Sequence, residues 1–277
     1  MALSAHSIPT IVSSAILETL QNELVYSRLF NQNFTGDVVP GNTVKIPSIG
    51  SVTVRDYSVY TDMLEEEASD ASQSMVIDQQ KYFNIVLDDI DAAMAKPEIL
   101  AAYAREAAYQ MRDTIDAYLG GVAAAGSLVT GLGDGTTPLS ISDANVESTL
   151  IRMARLLDEN NVPRAGRVVV VPPWFVEVLV TGNLTTKTDN LREAENGTVG
   201  RFAGFDILMS NNVPNTAGDK WKIVGGSNVS ATMALAINKT EVLRHEKQFA
   251  DKLRGLAVYG SKLTRATTVA VATCDEA

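Results

Sequence analysis

Residues 96–119, KPEILAAYAREAAYQMRDTIDAYL, constrain this chain more than any other stretch. Ile99, Tyr103, Ala107, Met111, Ile115, Tyr118 and Val122 recur at steps of four or three, the spacing that gathers side chains on one face of an α-helix. Pro97 suits a first turn, where its missing donor costs nothing, and Gly120-Gly121 supplies a stop. At ~1.5 Å per residue the segment makes a rod roughly 35 Å long. Its other faces carry Ala101, Ala102, Ala104 and Ala108 beside Glu98, Arg105, Glu106, Arg112, Asp113 and Asp116. A neighbouring element can therefore approach closely on one side while water covers the rest. The expectation is a spine helix on which other elements pack.

With 277 residues, 45% of them hydrophobic, the chain holds one large domain or two ordinary ones and has ample material for a core. A net charge of −10 argues against gripping nucleic acid, which needs clustered Lys and Arg to displace counterions. The single Cys274 leaves no disulfide framework and no Cys-rich metal site, and fits a reducing compartment. No Lys or Arg precedes the apolar residues after Met1, and no segment reaches ~18 uninterrupted apolar residues. The chain is expected to be neither exported by a standard signal nor membrane-spanning.

Taken in order, residues 1–42 mix apolar and polar side chains in a way that builds no core alone. Ile11, Ala15, Leu20, Leu24 and Phe30 outline a short amphipathic helix around residues 10–24, followed by the Gly-containing NQNFTGDVVPGN. Ile8, Val25, Leu29, Phe34 and Val38 are too many apolar groups for a floating tail, so this arm should lie on another surface. From residue 43 to about 89 the period becomes two. Val44, Ile46, Val52 and Val54 alternate with polar partners, as do Met75, Ile77, Phe83, Ile85 and Leu87, which predicts a long hairpin. Its tip carries Asp62, Glu65, Glu66, Glu67 and Asp70, a solvated acidic cluster without the spacing of a calcium loop. A two-stranded ribbon is marginal in water, so this one must rest on something.

Beyond the spine, Gly131, Gly133 and Gly135 read as a turn-rich linker and not as a phosphate loop, since no strand leads in and no Lys-Ser/Thr follows. Ser142 caps a second helix with Val146, Leu150, Met153 and Leu157 on one face, ended by Asn160-Asn161-Val162-Pro163. Val168, Val169, Val170 and Val171 read as a strand buried on both faces, which Pro172-Pro173 stop before a short helix at 174–180. Residues 183–199 suggest a long exposed loop. Strand signals return at 202–209, 221–224, 232–237, 253–259 and 267–273, so the second half is a mixed sheet with helices against it.

The sequence carries no enzyme signature. His6 lies in the arm and His245 in the charged LRHEKQ, so neither a Ser-His-Asp nor a Cys-His arrangement can be built, and both read as solvated surface groups. Asp88, Asp89 and Asp91 follow a strand pattern, as an edge or a helix-start cap does. No cofactor and no metal is expected.

Four phrases bring these pieces together: VVPGNTVKIPSIGSVTVRDY at the hairpin opening, FNIVLDDIDAAMAKPEILAAYAREAAYQM leading into the spine, RFAGFDILMSNNVP, and LRGLAVYGSKLTRATTVAVA near the end. In this order over about 260 residues, the chain resembles the major capsid proteins of tailed double-stranded DNA bacteriophages, with their HK97-like fold. The resemblance implies an α+β chain: an N-terminal arm over 1–42, an extended hairpin (E-loop) over 43–90, a peripheral domain from 91–135 and 240–277 containing the spine helix, and an inserted mixed α/β axial domain over 136–239. It implies a structural protein, not an enzyme, that self-assembles as hexamers and pentamers into an icosahedral shell enclosing DNA without sequence-specific binding. The place of action would be the virion capsid, assembled in the host bacterial cytoplasm. The chain opens almost at once with the arm, where some relatives carry a cleaved scaffolding segment. A separate scaffolding protein is therefore an expected partner, with a portal and a decoration protein. Lys45 and Lys81 lie at the hairpin, but no partner Asn or carboxylate marks a crosslink. Residues from which a subunit interface is expected are Ile11, Leu20, Leu24 and Phe30 in the arm and Arg55, Asp56, Glu65, Glu66 and Glu67 in the hairpin. An encapsulin-like compartment, or an enzyme or binding protein on the 142–240 α/β unit, remains open as an alternative. The unit lacks the glycine-rich strand-to-helix turn of a nucleotide site.

Overall fold

The computed structural model describes residues 24–33, 43–46, 53–57, 62, 72–88, 99–182 and 198–276. The expected spine is there as α1, Ile99–Ala123, a helix of 25 residues. It runs through Gly120-Gly121 where a stop was expected. A Cβ on Gly120 would sit 3.0 Å from the Tyr26 ring and 3.1 Å from the Asn212 carbonyl, so this glycine serves close approach instead of ending the helix. The buried stripe is Ala104, Ala108, Met111, Ile115, Leu119 and Ala123, while Tyr103 is exposed and Tyr118 packs edge-on against Tyr259. Asp116, expected on a wetted face, is buried as well.

Two sheets flank α1. The first has four strands in the order β1–β11–β12–β4: β1 is Phe30–Asn31, β4 Gln79–Asp88, β11 Ala231–Arg244 and β12 Ala250–Leu263. β1 pairs parallel to β11 and the other pairs are antiparallel. The second has seven strands: β5 (Leu139–Ile141), β13 (Ala270–Glu276), β10 (Lys220–Ser227), β6 (Arg167–Val171), β8 (Phe205–Met209) and β7 (Thr198–Phe202) in that order, with β9 (Asn215–Thr216) on β10. It is mixed: β6–β8 and β13–β5 run parallel, the remaining pairs antiparallel.

The four valines of β6 act as their pattern requires. Val168 and Val170 face a core shared with Met111, Ile115 and Leu119 of α1, with Tyr26, Leu29 and Phe30, and with Met233, Leu235 and Tyr259 of the first sheet. Val169 and Val171 face the opposite core, with Leu150, Met153 and Leu157 of α2 (Val146–Glu159), Phe175 and Leu179 of α3 (Pro173–Thr181), and Cys274. Burial pushes the Cys274 thiol up to about 12, so it is inert. At the start of α2, Asn145 and not Ser142 is the cap residue, and its side chain accepts from the Ser142 backbone N–H at 2.8 Å.

Several expected boundaries differ. The strand signal at 202–209 is two strands, β7 and β8, because Ala203 and Gly204 both take positive φ and turn the chain back. The expected linker around Gly131 and Gly133 is docked: Leu132 is fully buried, its carbonyl accepts from Thr273 N–H at 2.8 Å, and a Cβ on Gly133 would strike the Thr273 carbonyl. The last strand, within the segment 240–277, sits between β10 and β5 in the second sheet. Among the described residues the opening of the hairpin pairs as expected, with β2 (Thr43–Ile46) antiparallel to β3 (Gln73–Val76). Residues 53–57 are outside any strand, and Phe83 and Ile85 belong to β4, which pairs with β12. The β2–β3 ribbon finds its support on the first sheet, where Val44, Met75 and Ile77 bury Ala234 and Val258. Pro97, residues 183–197 and the arm before Leu24 lie outside the described residues.

Candidate functional site

Strand β4 presents two different faces, because side chains alternate across a strand. Phe83 and Ile85 point toward α1, and Phe83 covers Gly255 of β12 so closely that a Cβ there would be 2.5 Å from its ring. Tyr82, Asn84 and Val86 point the other way, aligned with Leu256, Arg254 and Lys252 of β12. The β2–β3 ribbon covers this outer face over Ala234, Val258 and Gly260, with Leu256 at its margin. Beyond it the face is open: Tyr82 is 79% exposed, Val86 46%, and Leu243 of β11 39%. A shallow depression of ≈ 400 Å³ lies between Tyr82, Asn84, Glu241, Arg254 and Leu256. The β11–β12 turn carries Phe249, 81% exposed, and His245, whose backbone N–H donates to the Ala250 carbonyl.

Charges hold this open face in shape more than they stabilise it. On this face Arg254 donates from Nε to Glu241 at 2.9 Å; on the opposite face, in phase with Leu87, Arg244 pairs with Asp251 at 3.1 Å, and both pairs are cross-strand and solvated. Such pairs contribute at most ~1 kcal/mol. Tyr82, Val86 and Leu243, interspersed with Asn84, Lys252 and the Arg254–Glu241 pair, and Phe249 in the adjoining turn give the composition of a docking surface, where large apolar side chains lose water and charges set register.

The expected interface residues separate into three groups. Leu24 and Phe30 are 4% and 3% exposed and pack against α1 and β11, so they serve their own subunit and leave a neighbour nothing to touch. Arg55 and Asp56 are exposed between Val54 (94%) and Tyr57 (71%), on the segment that leaves the ribbon. Ile11, Leu20, Glu65, Glu66 and Glu67 lie outside the described residues. Lys45 and Lys81 are both exposed.

Tyr82, Val86, Leu243 and Phe249 were not singled out from the sequence. The signal for the first two was present: apolar residues at 82 and 86 alternate out of phase with 83 and 85, which marks a strand with apolar side chains on both faces. Phe249 sits in a charged turn, where nothing in the pattern distinguishes it. No group of three or more potential metal ligands occurs among the described residues, and no helix among them is long and apolar enough to cross a membrane.

The sequence profile of the phage capsid protein family matches residues 72–272. A solved structure from Mycobacterium phage Che8 is similar at 27% identity, over 90% of this chain and 90% of that one, with a TM-score of 0.72. The capsid structure of cyanophage P-SCSP1u is similar at 16% identity over 92% and 89%, TM-score 0.71. A virus-like particle from Pyrococcus furiosus shares the fold at 10% identity over 96% and 99%, TM-score 0.54. No curated protein matches the sequence.

Proposed function

Since the chain belongs to the phage capsid protein family, and is a structural, shell-forming protein with the HK97-like fold, we propose that it closes into a shell of hexamers and pentamers around double-stranded DNA. The observation that carries this is the outer face of the first sheet and its β11–β12 turn: Tyr82, Val86 and Leu243 on the face, and Phe249 in the turn, are exposed apolar groups that the described part of the chain leaves uncovered. A surface that binds a different patch on the next copy generates rings and closed shells. The net charge of −10 suits a container whose packed polyanion is confined without adhering, so DNA is held with no sequence-specific contact and no chemistry is performed on it. A separate scaffolding protein and a portal are the partners of this reading, with a decoration protein as an optional addition to the finished shell and assembly in the bacterial cytoplasm.

Within that reading, the arm is residues 1–42, of which the part before the anchor at 24–31 reaches a neighbouring copy, and the extended hairpin is 43–90. The peripheral domain is 91–135 with 240–277, containing α1, and the axial domain is 136–239, containing α2 and α3.

Electron microscopy of the full-length protein, expressed with candidate scaffolding proteins, tests the proposal. Closed shells are expected with a scaffold, and irregular shells or tubes without one. A folded monomer under every condition would overturn it, and shells holding a protein cargo with no nucleic acid would replace the DNA container by an encapsulin-like compartment.

The acidic hairpin tip gives a finer expectation. Glu65, Glu66 and Glu67 have no basic residue near them in sequence between Arg55 and Lys81. If the tip docks on Lys or Arg of the next subunit, replacing all three by Gln weakens the shell and flattens the salt dependence of assembly, while the subunit's circular dichroism stays the same. Each exposed pair contributes only ~0.2–1 kcal/mol, repeated at every copy. An unchanged assembly titration against ionic strength would show that the tip is solvated and docks on nothing.

A further inference from the structure

Asp116 is a charged side chain that the spine helix buries, with 4% exposure. Three separate parts of the chain meet at it. From the anchored end of the arm, the Tyr26 backbone N–H donates to Oδ1 at 3.0 Å, and the Val25 backbone also hydrogen-bonds to the carboxylate. From the loop after β8, the Ser210 hydroxyl donates to Oδ2 at 3.2 Å and Asn212 adds a side-chain hydrogen bond. Asn212 also donates to Asp113 Oδ1 at 2.8 Å, one turn earlier on α1, and its own N–H donates to Ser210 Oγ at 3.1 Å. The groups that reach Asp116 are thus neutral donors.

We propose that Asp116 is a latch: the carboxylate through which α1 fastens the arm's anchor and the loop after β8 together, so that proton uptake and release at this one group sets how readily the arm opens from its own subunit. A carboxylate so placed is held by hydrogen bonds and opposed by burial. Here burial dominates and pushes the Asp116 carboxyl above the ordinary carboxylate range, with the donors from Tyr26, Ser210, Asn212 and Val25 pulling it back. The titratable neighbours are the Tyr26 phenol, itself raised by burial and then by the Asp116 charge, Asp113, and Tyr118 with Tyr259 where β12 packs on the helix. Of the nearby cations, Arg167 of β6 is held by Asp158 on the opposite face of its sheet, while Arg112 of α1 stacks on the Tyr109 ring.

The direction follows from linkage. When the anchor opens, Asp116 returns to water and to its ordinary range, so the closed form holds the proton more tightly than the open one. The closed latch is therefore fully favoured at pH below the ordinary carboxylate value, and is progressively lost as pH rises through the raised value. One proton changes the opening equilibrium by up to about tenfold per pH unit inside that window.

Hydrogen exchange by mass spectrometry on the full-length protein tests this, following peptides over residues 24–31 normalised to intrinsic rates and to peptides over β6. In the wild type the opening population at 24–31, relative to β6, should rise with pH by up to about tenfold per unit. In D116N, whose side chain can still accept from Tyr26 N–H, it should not change with pH. In S210A, which loses one donor to the charged form, the rise should begin at the same pH and continue to higher pH before it levels off. Parallel profiles in wild type and D116N would overturn the proposal, as would residues 24–31 exchanging only together with β6. The inference does not rest on shell formation, so its failure would leave the capsid assignment intact.

Discussion

Deleting residues 2–23 is expected to leave a folded subunit that no longer assembles in order, whereas deleting residues 2–31 is expected to unfold it. The difference lies in eight residues. Tyr26, Leu29 and Phe30 are 0%, 2% and 3% exposed and fill the space between α1, β6 and β11. Truncating one large core side chain costs about 2–5 kcal/mol. Losing all three, together with the β1–β11 pairing and the Tyr26 hydrogen bond to Asp116, exceeds the ~5–15 kcal/mol that holds a domain together. The shorter deletion removes only what precedes this anchor. Circular dichroism with a denaturant midpoint reads the first effect, and electron microscopy of assembly reactions reads the second. A longer deletion with an unchanged midpoint would show that the anchor is dispensable; orderly shells from the shorter one would show that neighbours do not need the arm.

Gly260→Ala should undock the β2–β3 ribbon. Gly260 lies on β12 opposite Ala234, directly beneath the ribbon, and a Cβ there would stand 2.5 Å from the Val76 carbonyl oxygen and 2.9 Å from Ile77 Cα. Both are backbone atoms, so no rotamer change relieves the clash and the ribbon must move as a body. Overpacking of this kind costs about 1–3 kcal/mol. A two-stranded ribbon has little stability of its own to set against that. Val44, Met75 and Ile77 would lose their contact with Ala234 and Val258, and the bonds from Lys262 Nζ to the Ser74 carbonyl and from Gln73 Nε2 to the Thr264 carbonyl would stretch. Amide exchange at 43–46 and 73–76 should rise at least tenfold while α2 and β6 stay protected, and assembly should fail. Gly121→Ala is the control, since its Cβ would meet nothing within 4 Å. It should be neutral or slightly stabilising, because alanine favours the helix by about 1 kcal/mol. Equal exchange in wild type and Gly260→Ala would mean that the ribbon is not held where it lies.

What could be read from the sequence followed periodicity wherever burial imposed it. The steps of three and four in α1, the face of α2 and the valine run of β6 all became elements because one or both faces are covered. Where a local signal competed with a distant contact, the contact won. Gly120 looked like a helix stop, and only the Tyr26 ring, far away in sequence, gives it another purpose. Asp116 looked like a wetted charge, although it sits beside Ile115 and three positions before Leu119, at the border of the buried stripe. The ends of β11 and β12 carry Glu241 and Arg254 on one face and Arg244 and Asp251 on the other, all solvated, which made two fourteen-residue strands read as short ones. Leu24 and Phe30 illustrate the limit most plainly: apolar residues in an arm demand cover, but nothing local says whether it comes from the same chain or the next. Tyr82, Val86 and Phe249 answer to surfaces that only the folded sheet defines.

The parallel pairing of Phe30 with Ala231 and of Asn31 with Thr232 spans most of the polypeptide. Contacts of such separation form late and slowly, since the entropy of closing the loop must be met before they stabilise anything. While the chain is being made on the ribosome, the anchor at Tyr26–Leu29 has no carboxylate to bind until Asp116 has emerged, and no strand to join until Ala231 has. The order of synthesis thus acts as a timer: residues 24–31 are seated only after nearly all of the subunit exists, and half-made chains hold no seated anchor.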